Sequence, residues 1–373
     1  MRICFVTPYG YPVLAGDRNA QVVGGAEVQQ VLISTELSKR GHEVSMISLD
    51  FGQTEGSRVR GVTCLKTCRE EELNGGLRFF HPRITSLWSA MRRADADIYY
   101  QRSSGVGTGV VAAFARRHGR RMVFASAAAT DFDAVLPRLK LARDRWIYRY
   151  GVSRAHLIVV QSELQQRNCL ENFGREAVCI NSCYGHRGCD AQHDGVILWV
   201  GNTRPHKRPD LFVKLAARLP QYRFRLVGGS SYDDDSVAQL KSMAAGLANL
   251  ELTGFVPHAD IEPQFDGASL IVNTSPAEGF PNTFLQAWSR RMPSVGFFDI
   301  GARLDGTPVG CHVKDMDAMV SVVDRLKSNH DLWQREGQRA ASFVARNNSV
   351  AKVVDRYESV LSGLLPAPEV VSA

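Results

Sequence analysis

Short apolar runs alternate with longer stretches of helical periodicity along the chain. In the first half, "RICFVTP", "HEVSMISL", "ADIYYQR", "RRMVFAS" and "AHLIVVQS" are apolar and β-branched enough to predict strands. Between them, "GGAEVQQVLISTELSKRG" reads as a helix, with Val28, Val31, Leu32, Thr35 and Leu37 as an apolar stripe and Gly41 as its end. "GTGVVAAFARRHG" and "ELQQRNCLENFG" read as two more helices. This alternation predicts a parallel sheet with helices on both faces. The pattern then restarts. "GVILWVGN", "YRFRLVGG", "LELTGFV", "SLIVNTS" and "SVGFFD" predict strands, separated or followed by the helical "RPDLFVKLAARLP", "VAQLKSMAAGL", "TFLQAWSRRM", "MDAMVSVVDRLKS" and "DLWQREGQRAASFVARN".

The expected fold class is therefore α/β, with two Rossmann-like parallel-sheet domains facing a central cleft. Their expected bounds are residues 1–184 and 190–348, joined near "NSCYGHRGCDAQHDG". A closing helix, "VAKVVDRYESVLSGLL", lies within residues 349–373 and is expected to cross back toward the first domain, ahead of a frayed tail.

A length of 373 residues suits about two domains, and 44% hydrophobic with 22% charged residues is ordinary for a folded chain. No apolar run approaches the ~20 residues that span a bilayer. "MRICFVTPYGYPV" reads as a first strand and not as a secretory signal, so a cytoplasmic protein is expected. The formal net charge of +7 is modest and comes without an RNA-binding aromatic signature, so nucleic acid is not an expected partner. Eight cysteines in this length do not make a disulfide scaffold. Cys179, Cys183, His186, Cys189 and His193 are irregularly spaced and lack paired zinc-ligand motifs, which favours a Cys-rich connector over a metal site.

The distribution of charge changes the picture more than its sum. "PRLKLARDRWIYRYGVSR" carries Arg138, Lys140, Arg143, Arg145, Arg149 and Arg154. At helical spacing Leu139, Ala142, Trp146 and Tyr150 share one face, while Arg138, Arg145 and Arg149 line another. The plainer reading is a core-facing helix with a solvated basic side. The sharper one is peripheral contact with the inner face of an anionic membrane.

Ligands of open α/β sheets bind beyond the carboxyl ends of the strands, so the loops there carry the candidate chemistry. Gly24 and Gly25 open a helix and let backbone N–H groups approach an anion. They do not make the dinucleotide fingerprint, and "GVGTG" at Gly105–Gly109 matches it equally weakly. Arg204, Lys207 and Arg208 crowd the loop "VGNTRPHKRPD", beside a helix that Pro209 can start, which suits a diphosphate. The turn "TGFVPHADI" can offer Phe255 and Val256 to a flat ring. In "SPAEGFPNTFLQAW", Glu278 follows a strand. Gly279 removes bulk, and the amides of Phe280, Asn282 and Thr283 begin a helix, Pro281 having none to give. Taken alone each loop has a structural explanation; in register they point to one site.

Together "GGAE" (Gly24–Glu27), "VGN" with Lys207, "LTGFV" (Leu252–Val256) and "EGFPN" (Glu278–Asn282) resemble glycosyltransferase family four, across nearly the whole chain. The resemblance implies the GT-B fold and transfer of a sugar, with retention of anomeric configuration, from a UDP- or GDP-linked donor to an acceptor hydroxyl. The acceptor would be a saccharide, a lipid-linked intermediate or a small molecule. It also implies no metal and no cofactor beyond the donor. Gly24 and Gly25 would face the donor phosphates and Lys207 would bind them. The loop at Phe255 and Val256 would meet the base, Glu278 would hold the sugar hydroxyls, and Gly279 and Phe280 would supply amides. Three positions depart from the family pattern. Gln286 replaces the second Glu of E-x(7)-E, which usually holds the ribose. Asn202 stands where Arg is common, with Arg204 two residues on. "FASAAATDFD" lacks the family's His, leaving Ser126 or Asp131 to line the acceptor side. A GT-B nucleotide-sugar 2-epimerase and a catalytically silent nucleotide-sugar-binding partner are the alternatives.

Overall fold

The structure, a computed structural model, describes residues 1–18, 24–73, 80–185, 189–229 and 234–366. His186 and most of the tail lie outside them. The chain divides into two compact units, one built from the stretch up to Asn181 together with the chain from Val350 onward, the other chiefly from Ser182–Ser349.

Among the described residues the first unit holds eight strands: β1 (Arg2–Val6), β2 (Glu43–Ser48), β3 (Arg58–Val59), β4 (Val62–Lys66), β5 (Ile98–Arg102), β6 (Arg121–Ala125), β7 (Leu157–Val160) and β8 (Val178–Cys179). They form one sheet in the order β3-β4-β2-β1-β5-β6-β7-β8. All pairs are parallel except β3 with β4. Ile3, Cys4 and Phe5 are consecutive and fully buried, as a strand covered on both faces requires. The covering helices are α1 (Gly10–Ala15), α2 (Gly25–Lys39), α3 (Thr85–Ala94), α4 (Val106–Arg117), α5 (Ala142–Arg154) and α6 (Glu163–Phe173).

Among the described residues the second unit has six parallel strands: β9 (Val196–Val200), β10 (Phe224–Val227), β11 (Leu250–Gly254), β12 (Ala268–Asn273), β13 (Ser294–Gly296) and, past a small antiparallel pair, β14 (Arg303–Leu304) with β15 (Thr307–Pro308), β16 (Cys311–His312). Their order is β11-β10-β9-β12-β13-β16. Its helices are α7 (Pro209–Arg218), α8 (Asp234–Ala244), α9 (Asn282–Trp288), α10 (Met316–Ser328) and α11 (His330–Asn347). α12 (Val350–Ser362) then rejoins the first unit. There Arg40 pairs with Asp355 at 2.7 Å and with Glu358, His42 Nε2 meets Glu358 at 2.7 Å, and the hydroxyls of Tyr100 and Tyr357 meet at 3.2 Å.

Two faces differ from their sequence patterns. In α2 the buried residues are Gln29, Gln30, Val31, Ile33, Ser34 and Leu37, whereas Val28, Leu32 and Thr35 are half-buried. The stripe is displaced because α2 packs against both β2 and α12 and so has no single core-facing side. In α5 the buried residues are Tyr148, Gly151 and Val152. Trp146, expected to face the core, is 69% exposed and stacks on Tyr150.

The reason lies where α4 crosses α5. A Cβ on Gly109 would stand 2.4 Å from Ile147 Cγ2, and one on Gly151 would stand 2.6 Å from the carbonyl of Thr108. "GVGTG" is thus the start of a helix whose last glycine admits a neighbour, and a Trp cannot occupy that seam. Glycine inside a helix costs roughly 1 kcal/mol relative to alanine. On propensity alone Gly151→Ala would therefore stabilise the chain. The crossing reverses the sign: the variant is expected to lose about 1–3 kcal/mol through overpacking, read as a lower urea midpoint. A raised midpoint would refute the close approach.

Candidate active site

The order of the second sheet reverses at β9, whose neighbours are β10 on one side and β12 on the other. Chain leaving β9 and chain leaving β12 therefore diverge, and their carboxyl ends border the crevice where open α/β sheets bind ligands. Residues 201–208 follow β9 and residues 274–281 follow β12. The loops after β9 and β10 pass in close contact: Gly228 has φ +151°, and a Cβ there would lie 1.8 Å from the Gly201 carbonyl oxygen.

Lys207 and Glu278 meet in this crevice, with Nζ 2.5 Å from Oε1. Both side chains are mostly enclosed, at 28% and 16% exposure. A chain of buried donors fixes the lysine's backbone: Trp199 Nε1 donates to Thr274 Oγ1 at 2.9 Å, and that hydroxyl donates to the Lys207 carbonyl at 2.9 Å. Glu278 Oε1 also accepts from Ser275 Oγ at 2.8 Å and from Asn273 Nδ2 at 3.4 Å. Its Oε2 receives none of these bonds. One oxygen anchors the carboxylate and the other is open to a ligand hydroxyl, while Lys207 offers its remaining protons to an anion. Arg204 is exposed on the same loop, and Asn202 Oδ1 and Thr203 Oγ1 are buried without hydrogen-bond partners among the described residues.

The turn carrying Glu278 is anchored by α9 behind it. Trp288, the last residue of α9, is fully buried, donates to Ser294 Oγ at 2.9 Å, and packs edge-on to Phe280 and Phe343. The Phe280 ring is therefore core, and only its backbone remains for a ligand. Gly279 and Pro281 are buried too. Asn282 and Thr283 open α9, a helix of only seven residues, so its dipole is short. Phe255 is 46% exposed and Val256 half-buried, beside Gly229.

Gln286, one helical turn inside α9, is buried and donates to Glu262 Oε1 at 2.9 Å. The other oxygen of Glu262 accepts from Tyr184 at 2.5 Å and from the fully buried Arg290 at 2.7 Å. Burial, then Glu262, pushes the Tyr184 phenol above its usual range. Glu262, Tyr184 and Arg290 had no signal in the sequence, because they come from three separate segments.

In the first unit Gly24 caps α2 in extended conformation and Gly25 is its first residue. Residues 19–23, just before them, lie outside the described residues. The acceptor-side expectation for Asp131 and Ser126 needs correction. Asp131 is fully buried: Oδ2 accepts the amides of Ala127 (2.7 Å) and Ala128 (2.9 Å), and Oδ1 accepts from Ser104 at 2.8 Å. It holds the turn after β6. Ser126 is buried and donates to Gln165 at 2.9 Å. The carboxylate less enclosed in this stretch is Asp133, half-buried, whose pKa is raised by burial and then by Asp131. Among the described residues, no group of three or more His, Cys, Asp or Glu is arranged to hold a metal ion.

Residues 24–181 match the model of the glycosyl transferase 4-like domain, and residues 194–329 that of glycosyl transferases group 1. The chain belongs to glycosyltransferase family four. It is similar to the O-antigen biosynthesis glycosyltransferase WbnH of Escherichia coli, 26% identical over 172 residues, 45% of this chain and 46% of WbnH. It is also similar to D-inositol 3-phosphate glycosyltransferase of Mycobacterium tuberculosis, 23% identical over 229 residues, 56% of this chain and 44% of that protein. The chain thus spans less than half the length of these curated relatives. Among solved structures, sucrose-phosphate synthase from Thermosynechococcus elongatus aligns with TM-score 0.74 and 13% identity over 97% of this chain and 98% of its own. Anabaena HepE, solved with UDP and glucose, aligns with TM-score 0.72 and 15% identity over 97% and 99%. This likeness is one of fold, and the fold is GT-B.

The family's second Glu is uncharged here for a reason visible in the packing: its neighbour is already a carboxylate. Gln286→Glu sets two carboxylates against each other and is expected to destabilise the chain by about 1–2 kcal/mol. Adding Glu262→Gln should recover at least half of that loss in a double-mutant cycle by urea denaturation. Purely additive losses would show that the two side chains do not interact.

Proposed function

We propose that this protein is a retaining, metal-independent glycosyltransferase that moves a sugar from a UDP- or GDP-linked donor to an acceptor hydroxyl in glycan or glycoconjugate assembly. The observation that carries the reading is the Lys207–Glu278 pair at the switch point of the second sheet. A donor diphosphate takes over the protons of Lys207 that Glu278 does not hold, with Arg204 adding a second cation. In the first unit, Gly24 and Gly25 at the start of α2 offer backbone N–H groups suited to a phosphate. Glu278 Oε2 and the backbone at Gly279 and Phe280 take the sugar, and Phe255 and Val256 meet the base; the ribose role implied for Gln286 does not fit a side chain buried against Glu262. The bond from the anomeric carbon to the diphosphate breaks, and a bond to the acceptor oxygen forms on the same face. The acceptor's proton passes to the departing phosphate oxygen. The protein's contribution is positioning and stabilisation of the leaving charge.

The acceptor side is assigned to the first unit, with Asp133 in the place first given to Asp131. The outward face of α5 and the loop before it supports peripheral contact with an anionic membrane. Val135, Leu141 and Trp146 are all more than half exposed, among Arg138, Lys140 and Arg145. No helix among the described residues is long and apolar enough to cross a membrane. A second reading, a silent nucleotide-sugar-binding partner, is favoured by the inward-turned Ser126 and Asp131 and by the missing His.

Turnover of a panel of UDP- and GDP-sugars, with membranes and glycans as acceptors, separates the readings. Glu278→Gln is expected to cut kcat by about a hundredfold or more with donor KM little changed, and Lys207→Met to raise donor KM at least ~10-fold. Nucleotide binding without any turnover would favour the silent partner, and normal kcat in Glu278→Gln would remove that residue's role. Cosedimentation with anionic vesicles should fall at least severalfold in Trp146→Ser; unchanged pelleting would exclude that face.

A further inference from the structure

The amino-terminal end of the first sheet carries a concavity that the transfer reaction does not use. A cavity of about 490 Å³ lies at the amino ends of β6 and β7 and the carboxyl ends of α4 and α5. Its lining includes Arg116, Arg120, Arg121, Arg154, Arg175 and His156, and no carboxylate.

Two of these arginines are committed to the fold. Arg120 is ion-paired with Asp95 and Asp97. Arg175 donates to the carbonyls of Val152, Ser153 and Ala155, which closes the end of α5. The other three are exposed, and among the described residues the side chains of Arg116, Arg121 and Arg154 make no hydrogen bond or ion pair. His156 adds a donor. Its Nδ1 accepts the amide of Met122 at 3.1 Å, so the neutral ring carries its proton on Nε2. Partial desolvation, then the charges of Arg121 and Arg175, lower its pKa.

The carboxyl ends of helices attract cations, and Arg116 and Arg154 each lie in the last turn of a helix. That does not account for the whole cluster. Arg175 already satisfies the α5 carbonyls, and Arg121 begins a strand. Like charges gathered around one concavity repel, and among the described residues only Arg120 of the lining arginines is offset, by Asp95 and Asp97. Guanidinium forks match phosphate oxygens in pairs, and the volume falls within the range of small-molecule sites.

We propose that this pocket binds a small anion carrying two or more phosphate groups, at a site separate from the nucleotide-sugar site of the second unit. Phosphate is the shared chemistry of a free metabolite and a lipid headgroup, and the test distinguishes them.

Inorganic pyrophosphate is titrated into the full-length protein by calorimetry, with Lys207→Ala used to remove any contribution from the nucleotide site. Saturable binding is expected to survive in Lys207→Ala. It should weaken at least tenfold when Arg121→Ala and Arg154→Ala are added, with inorganic phosphate binding more weakly throughout. Because the substituted arginines hold nothing in the fold, the double variant should melt at the same or a higher temperature in phosphate-free buffer, and Arg116→Ala alone gives a milder form of the same loss. Vesicles containing phosphatidylinositol 4-phosphate, a headgroup with two phosphates, identify a headgroup if they pellet the protein through the same arginines, and a free ligand if they do not. Binding that vanishes in Lys207→Ala, binding indifferent to the arginine substitutions, or no saturable binding at all overturns the proposal.

Discussion

Two adjacent parallel strands whose chains depart in opposite directions leave their carboxyl ends with a crevice and loops on either side of it. In the second unit those strands are β9 and β12. The loops are close enough for one lysine and one glutamate to meet at 2.5 Å, though 71 residues separate them in sequence. The surroundings of the pair serve to keep it there. Trp199 and Thr274 tie the Lys207 backbone to β9 and β12. Ser275 and Asn273 hold one oxygen of Glu278. Trp288 roots the helix behind the turn in the core. The lysine meets the charge of the glutamate directly, and a donor with a negative diphosphate and neutral hydroxyls can engage each of them.

The same logic explains Gln286. A buried site tolerates one negative charge beside Arg290, and Glu262 supplies it. The amide at 286 completes that carboxylate's hydrogen bonds without adding a second charge. The charge at this place in the unit thus sits on the 3-10 turn after β11 and not on α9. The departure from the family pattern is compensated locally.

Much of this is legible in the chain. Strands buried on both faces read as continuous apolar runs, and Gly, Pro and charged residues after them mark the loops, so the fold and the loops carrying Lys207 and Glu278 stand out in the sequence, and Gln286 stands out through the resemblance to the family pattern. The features that escape such a reading depend on contacts between distant segments. α2 buries Gln29 and Gln30 because α12 returns to cover it, over three hundred residues later. Trp146 points outward because Gly109 and Gly151 set the seam of α5. Asp131, a plausible reactive acid in sequence, commits its oxygens to the turn after β6. β3, β4 and α3 go unpredicted because their apolar runs are short and interrupted. Helical spacing says which residues share a face and not which face meets a neighbour.

The most direct test of the donor site is hydrogen exchange of the full-length protein with and without saturating UDP or GDP. Protection should concentrate in residues 201–208 and 274–286 and require at least ~10-fold more nucleotide in Lys207→Met. Protection confined to other segments, or none with either nucleotide, would contradict the placement of the donor site at the Lys207–Glu278 pair.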